Sequence, residues 1–460
     1  MKSIYKKTIL SAACAAALGG ITPSVHAANW LMLQGTEPAG AAARAKVWGF
    51  IQPEFQRTDD TKLEAGPWSG QSAIFNQMRP DLKSSEGFNV LRARLGVRGE
   101  GMPLDPKVNY FLLAEFGNNG ITRQGGGSVK LTDASVTFNH IPGARVRVGV
   151  FKTPGSEEGL QAIHVFDYIN FTNVTNGLLL ERFFDTDGSD TYVTPAGNSG
   201  AGGSANRPNG PVSAFRDQGI QVFDTFKKGD WEHSYALMVG NGNGITRGDN
   251  DNNYETYLYW SSEKVFGGKG PRRDGWKLFA WYQDGKRTLD AYWDAAAGEF
   301  SVQDGEFDRT RYGIGTTFRK DKWRAAAEYI VADGMIFNGT DGGAVPGAAA
   351  NGPGTTASFN VEPEGEADGW YVHGGYAVTN ALELDVRYDV YNRMTDVANK
   401  ERKFDTLTLG AQYFFNKKSR LILNYEIRNA EAPNLADDHN ANKILSGMDN
   451  RIAAQVLVIF

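Results

Sequence analysis

From Ala45 to the last residue the chain keeps returning to an alternation of apolar and polar residues with a period of two. Period two is the mark of a strand whose two faces meet different surroundings. After residue 28 no stretch holds 18 consecutive apolar residues, so the sequence offers no membrane-crossing helix. The terminal run shows the pattern most clearly. Ile452, Ala454, Val456, Val458 and Phe460 share one face, while Arg451 and Gln455 fall on the other. An apolar face ending on an aromatic ring suits a strand whose outer side meets lipid and whose last residue sits at the interface.

Sixteen such runs can be read. They open at Ala45–Phe55, Leu91–Val97, Val108–Phe116, Ala134–Phe138 and Ala144–Val150. After a gap they resume at Ile220–Phe226, Trp231–Val239, Tyr254–Trp260, Trp276–Tyr282, Tyr312–Phe318 and Trp323–Tyr329. They close with Trp370–Tyr376, Leu382–Val390, Leu407–Tyr413, Leu421–Ile427 and the terminal strand. An even count returns both chain ends to one side of a membrane. Trp231, Trp260, Trp276, Tyr282, Trp323, Tyr329, Trp370 and Tyr376 lie at run ends, where interfacial girdles belong. Short links such as 141–143 and 320–321 alternate with long polar ones such as 57–88 and 332–368. The expected fold is all-β: a transmembrane antiparallel β-barrel of about 16 strands over residues 44–460. A secreted soluble β protein is disfavoured, because its strands should not keep an apolar face on so many segments.

The first 27 residues read as a secretory signal peptide. Lys2, Lys6 and Lys7 precede a small apolar stretch from Thr8 to Gly20, and Val25-His26-Ala27 forms a cleavage site. Residues 28–43 then read as a short periplasmic arm. Cys14, the only cysteine, falls in the signal, which leaves no disulfide, thiolate metal site or cysteine-linked haem; no cofactor is expected. Three of the 48 basic and none of the 53 acidic residues lie in the signal, so the remainder carries a formal charge of −8. That argues against a nucleic-acid partner. Asp249–Glu255 has oxygen ligands suited to a divalent cation but lacks the sixth-position Gly and twelfth-position Glu of a Ca²⁺ loop, and reads better as a solvated loop.

The inner register carries the chemistry. Arg92, Arg94 and Arg98 share a face on the second run, and Arg145 and Arg147 share one on the fifth, with Lys152 just beyond. Residues two apart on a strand are about 6.6–7 Å apart. Such a row can hand an anion from one cation to the next. Equally, it can pair with Glu54, Glu115 and Asp133 on neighbouring strands and stiffen the wall; both readings stay open. The gap at 153–214 contains apolar segments that a wholly exposed loop would not need. It is expected to fold into the lumen and narrow it, with Glu157, Glu158, Asp167, Tyr168, Glu181 and Arg182 at the constriction.

Arg92-Ala93-Arg94-Leu95-Gly96-Val97-Arg98-Gly99 resembles the early strands of the phosphate-selective porin family of Gram-negative outer membranes. So do Arg145 to Gly155, Val239-Gly240-Asn241-Gly242 with the polar loop after it, and the ending Gln455 to Phe460. The terminal Phe460 also matches the assembly signal of bacterial outer-membrane barrels. The resemblance implies a homotrimer of sixteen-stranded barrels in the outer membrane, with inward loops and a basic path for small anions such as phosphate. The family's phosphate channels have lysine-rich entrances, whereas the external loops here are largely acidic or neutral. The expected function is passive diffusion of small hydrophilic solutes, with membrane lipid as the surrounding partner. Two other classes remain. One is a barrel sheathing a partner such as a secreted cytochrome. The other is a barrel enzyme, for which the five histidines beyond the signal offer no persuasive Ser–His pair.

Overall fold

The computed structural model describes residues 30–33, 43–66, 69–78, 84–101, 103–119, 129–180, 214–245, 249, 251–268, 270, 272–289, 292–294, 299–301, 305–337, 361–362 and 364–460. The expected signal peptide at 1–27 lies outside them. Sixteen antiparallel strands close into one barrel. They are β1 (Lys46–Arg57), β2 (Glu86–Glu100), β3 (Val108–Glu115), β4 (Lys130–Phe138), β5 (Arg145–Lys152), β6 (Arg216–Lys228), β7 (Trp231–Gly240) and β8 (Glu255–Gly267). Then come β9 (Asp274–Leu289), β10 (Gly305–Lys320), β11 (Trp323–Asp333), β12 (Glu366–Ala377), β13 (Leu382–Arg393), β14 (Arg402–Asn416), β15 (Ser419–Glu431) and β16 (Arg451–Ile459). Each run read from the sequence corresponds to one of these strands.

The physical reason is the solvent. An apolar medium cannot satisfy a strand edge, so the sheet has to close on itself. The outward residues Leu95, Leu112, Val148, Ile220, Leu237, Leu278, Ile314, Val372, Leu384, Leu409 and Leu423 are all exposed, and they make the belt that lipid would cover. Aromatic pairs edge this belt: Trp231 with Trp276 (6.0 Å between ring centroids) and Trp323 with Tyr376 (4.5 Å) at one rim. Short turns such as 229–230, 321–322 and 417–418 join strands at that rim, and the long connections join them at the other.

Closure joins β1 to β16, with Phe50 opposite Ile459 and Phe55 opposite Ala454. Phe460 extends the seam: its N–H donates to Gly49 O (3.0 Å) and its carbonyl accepts from Gly49 N (3.1 Å). Its ring lies over Gly49, where a Cβ would stand 2.5 Å from the ring. Among the described residues the ladders carry four register shifts that the alternation does not reveal, and the one in β1 moves an exposed face. The β1–β2 register shifts between Gln52 and Pro53, and Pro53 has no N–H to give a ladder. Beyond that shift the exposed face of β2 moves from Leu95 to Val90 and Phe88.

Within the arm expected over 28–43, Trp30–Leu33 forms a turn, and Trp30, Leu31 and Met32 are buried inside the barrel. Their apolar side chains find a drier place there than at the rim.

Removing Phe460 leaves both polar groups of Gly49 without their partners at the seam. The expected outcome is a large drop in the yield of heat-resistant folded barrel, read as the fast-migrating band on unheated gels. Undiminished yield would show that the seam does not need the last residue.

Candidate functional site

The long connection after β5 turns inward. Thr153 N donates to Phe215 O (2.9 Å), which pins the two ends of the connection together. Ser156 then caps a single helical turn, α1 (Glu157–Leu160), accepting from Gly159 N at 3.1 Å. Thr172 caps α2 (Asn173–Leu178) in the same way, accepting from Thr175 N at 3.3 Å. Lys152 holds the end of α1: its Nζ donates to Gly159 O (2.8 Å) and Gln161 O (2.5 Å). A cation at the carbonyl end of a helical turn satisfies acceptors that have no partner within the helix.

From there the loop crosses to the far wall. Glu157 pairs with Lys277 of β9, and its backbone N–H donates to Glu328 of β11 at 3.1 Å. Glu158 accepts from Arg387 of β13 (3.2 Å) and from the Thr172 hydroxyl (2.7 Å). Asp167 accepts from Arg272 (2.8 Å) and lies 3.4 Å from Arg324 Nε. Burial alone would raise the Asp167 carboxyl, but Arg272 and Arg324 hold it well below the usual carboxylate range. The Arg387 guanidinium lies 4.3 Å above the Tyr168 ring, and the Tyr168 hydroxyl has no hydrogen-bond partner among the described residues. Asn170 donates to Glu426 (2.8 Å) and Arg311 Nε to Leu178 O (3.1 Å). Glu157, Glu158, Asp167 and Tyr168 are therefore together inside the barrel, each engaged with the wall. Glu181 and Arg182 lie outside the described residues.

A patch of apolar wall receives the loop. Tyr259, Phe279, Trp281, Ile330, Tyr371 and Tyr391 point inward and are buried with Leu160, Val174 and Leu178. Close approach depends on two glycines. A Cβ on Gly369 would stand 2.7 Å from Val174, and one on Gly177 would stand 2.6 Å from the Tyr391 ring. At the loop's lower bend, burial and the Arg420 charge push His164 down to about 4, so the ring is neutral near pH 7. It packs on Phe50 (5.1 Å) and Trp48 (5.8 Å).

The six early cations divide between two environments. Arg92, Arg94 and Lys152, with Arg216, line a cavity on the long-loop side. Arg92 donates to Gln52 (3.3 Å), Arg94 pairs with Glu115 (2.8 Å) and Arg216 with Asp133 (3.1 Å). Arg98, Arg145 and Arg147 do not line this cavity. Arg98 lies over Phe111 at 5.7 Å, and Arg145 pairs with Asp224 at 3.2 Å. Arg147 is fully buried, with Phe223 4.3 Å and Phe151 5.4 Å from its guanidinium.

A second cavity opens on the short-turn side. Arg272, Arg273, Lys277, Arg319 and Arg324 line it, together with Glu157, Asp167 and Glu263. Sequence reasoning missed Arg216 in the first cavity and Arg272, Arg273 and Arg319 in the second as site residues. Arg272 and Arg273 sit next to each other in a short turn, where a basic pair reads as mere solvation. Gln161 lines both cavities, so the loop separates two basic chambers. The Ser–His contact between His233 Nδ1 and Ser262 Oγ (2.9 Å) lies on the outer face beside Trp260, away from both. At the long-loop rim, Asp249 Oδ1 accepts from Asn252 N (3.0 Å) and Asp251 from the Thr288 hydroxyl (2.7 Å), so the polar loop satisfies part of its own demand.

Truncating Glu158 to alanine leaves Arg387 buried without its carboxylate, a loss of about 3–5 kcal/mol for a broken buried pair. The expected result is a barrel that still forms but melts at lower temperature and is cut by protease within residues 157–180. Limited proteolysis with mass mapping checks it.

The sequence matches no protein-family model and no curated relative. By structure the chain is similar to the outer membrane channel DcaP of Acinetobacter baumannii, with a TM-score of 0.51 and 14% identity over 93% of this chain and 100% of that one. It is also similar to an anion-selective porin from Comamonas acidovorans (TM-score 0.49, 13% identity, 91% and 100% of the two chains). OmpF of Salmonella typhi gives a TM-score of 0.49 at 13% identity over 90% and 97% of the two chains. The likeness to DcaP establishes a shared barrel fold.

Proposed function

We propose that this chain is an outer-membrane porin, a passive diffusion channel for small hydrophilic solutes that favours anions, inorganic phosphate among them. The observation that carries this reading is the pair of basic chambers on either side of the inward loop. The long-loop chamber is lined by four cations and one carboxylate, Glu158; the short-turn chamber by five cations and three carboxylates. A narrow, low-dielectric passage strengthens the field of such groups. Several sites in series allow an anion to bind and leave again. The loop itself forms the constriction.

The signal-like amino terminus, the apolar outer belt and the terminal Phe460 support an outer-membrane location with the short-turn rim facing the periplasm. The sequence resemblance supports a homotrimer and, among porins, the phosphate-selective family. The sheath reading loses support because the chain's own loop fills the space a partner protein would need. Among the described residues, no observation inside the barrel favours an enzyme.

Single-channel recording in planar bilayers, with reversal potentials across a salt gradient, tests the proposal. The wild-type channel should conduct and prefer anions. Arg92→Gln and Arg319→Gln should each lower the anion-to-cation permeability ratio several-fold, since a lost charge at this range weighs on the order of 1 kcal/mol. Arg147→Gln, which alters a guanidinium packed between rings, should leave the ratio near wild type. Absent conductance, or a ratio that ignores Arg92 and Arg319, would overturn the reading.

A further inference from the structure

The amino-terminal turn Trp30–Leu33 has no part in the barrel wall, yet it lies in the lumen. Trp30, Leu31 and Met32 are at most 7% exposed. They belong to the buried cluster that contains Leu160 of the loop and Tyr259, Phe279 and Trp281 of the wall. Trp30 Nε1 donates to Glu157 Oε1 at 3.0 Å. The other Glu157 oxygen pairs with Lys277, so the turn attaches at the point where the loop meets the wall. Trp30 also lines the short-turn chamber, beside Lys277 and Arg319.

The next described residues lie at the rim. Arg44 O accepts from the Tyr110 hydroxyl and Ala43 O from Glu100 N, which places both at the short-turn rim. The chain therefore stands at the short-turn rim at Ala43 and inside the lumen at Trp30. An element that takes no part in the sheet ladder can leave without opening the barrel.

We propose that Trp30–Leu33 is a built-in plug. It occupies cross-section in the short-turn chamber and holds conductance below what the barrel and loop alone would pass, with the Trp30–Glu157 bond as its latch. The proposal rests on the channel reading above. It makes this segment a gate, whose withdrawal toward the short-turn rim would raise flux through an unchanged wall.

The test uses the full chain with Trp30–Leu33 deleted, alongside Trp30→Phe, which keeps an aromatic ring but removes the latch. Heat-resistant migration on unheated gels establishes folding of each. Deletion should raise single-channel conductance at least two-fold, and Trp30→Phe should give flickering between the wild-type and deletion levels. A conducting wild type whose conductance the deletion leaves unchanged overturns the plug while sparing the porin. If neither protein conducts, the porin reading fails and the gate falls with it. Accessibility supplies a measurement independent of current. Met32→Cys in a Cys14→Ala background carries a single thiol. In folded wild-type-like barrels it should react with a charged, bulky maleimide at least ten-fold more slowly than in the unfolded protein. Equal rates would mean that the turn is not seated in the lumen.

Discussion

Everything in this structure depends on the hydrogen bonding of backbone that faces an apolar medium. A strand edge in lipid has no water to satisfy it, and the penalty recurs at every unpaired N–H and C=O. Closure through β1 and β16 removes the last edge, and the Gly49–Phe460 pair completes it. Once the wall is closed, the outer face is committed to apolar side chains. Polar and charged residues are then forced inward, toward one another and toward whatever enters the lumen.

That forced crowding explains the interior. Charges taken out of water need partners, and here the inward loop supplies many of them. Glu157, Glu158 and Asp167 each meet a cation on the far wall, Lys277, Arg387 and Arg324, and in doing so they fix the loop across the barrel. The arginines on the inner face therefore stand in two kinds of setting. Arg94 and Arg216 face a chamber while paired with carboxylates, whereas Arg147 is packed between rings and serves the wall. A cation that is both paired and exposed to a chamber can steady the structure and still contribute to the field in that chamber.

The barrel was legible because its signal is repeated. Sixteen alternating runs, an even count and alternating link lengths all point the same way, so a local irregularity such as the shift at Pro53 does no harm to the whole. The loop's inward course was legible from its apolar residues. Its docking site was less so, though a trace existed: Tyr257-Leu258-Tyr259-Trp260 and Leu278-Phe279-Ala280-Trp281 are apolar on both faces. Strands that face lipid on one side and water on the other have no use for that. It marks the part of the wall, Tyr259, Phe279 and Trp281, that is buried in one cluster with Leu160 of the loop.

By itself, the sequence determined what is periodic or local: strand count, the lipid-facing register, the inward course of the arginine rows, and the special ending at Phe460. Tertiary structure alone decided which charges meet. Arg272 finds Asp167 105 residues away, and Trp30 finds Glu157 across 127. A strand's pattern says which face a side chain takes, but not which loop will cross the lumen to meet it. That is why two basic chambers sharing Gln161, and a tryptophan latched between loop and wall, emerge only when the barrel is closed.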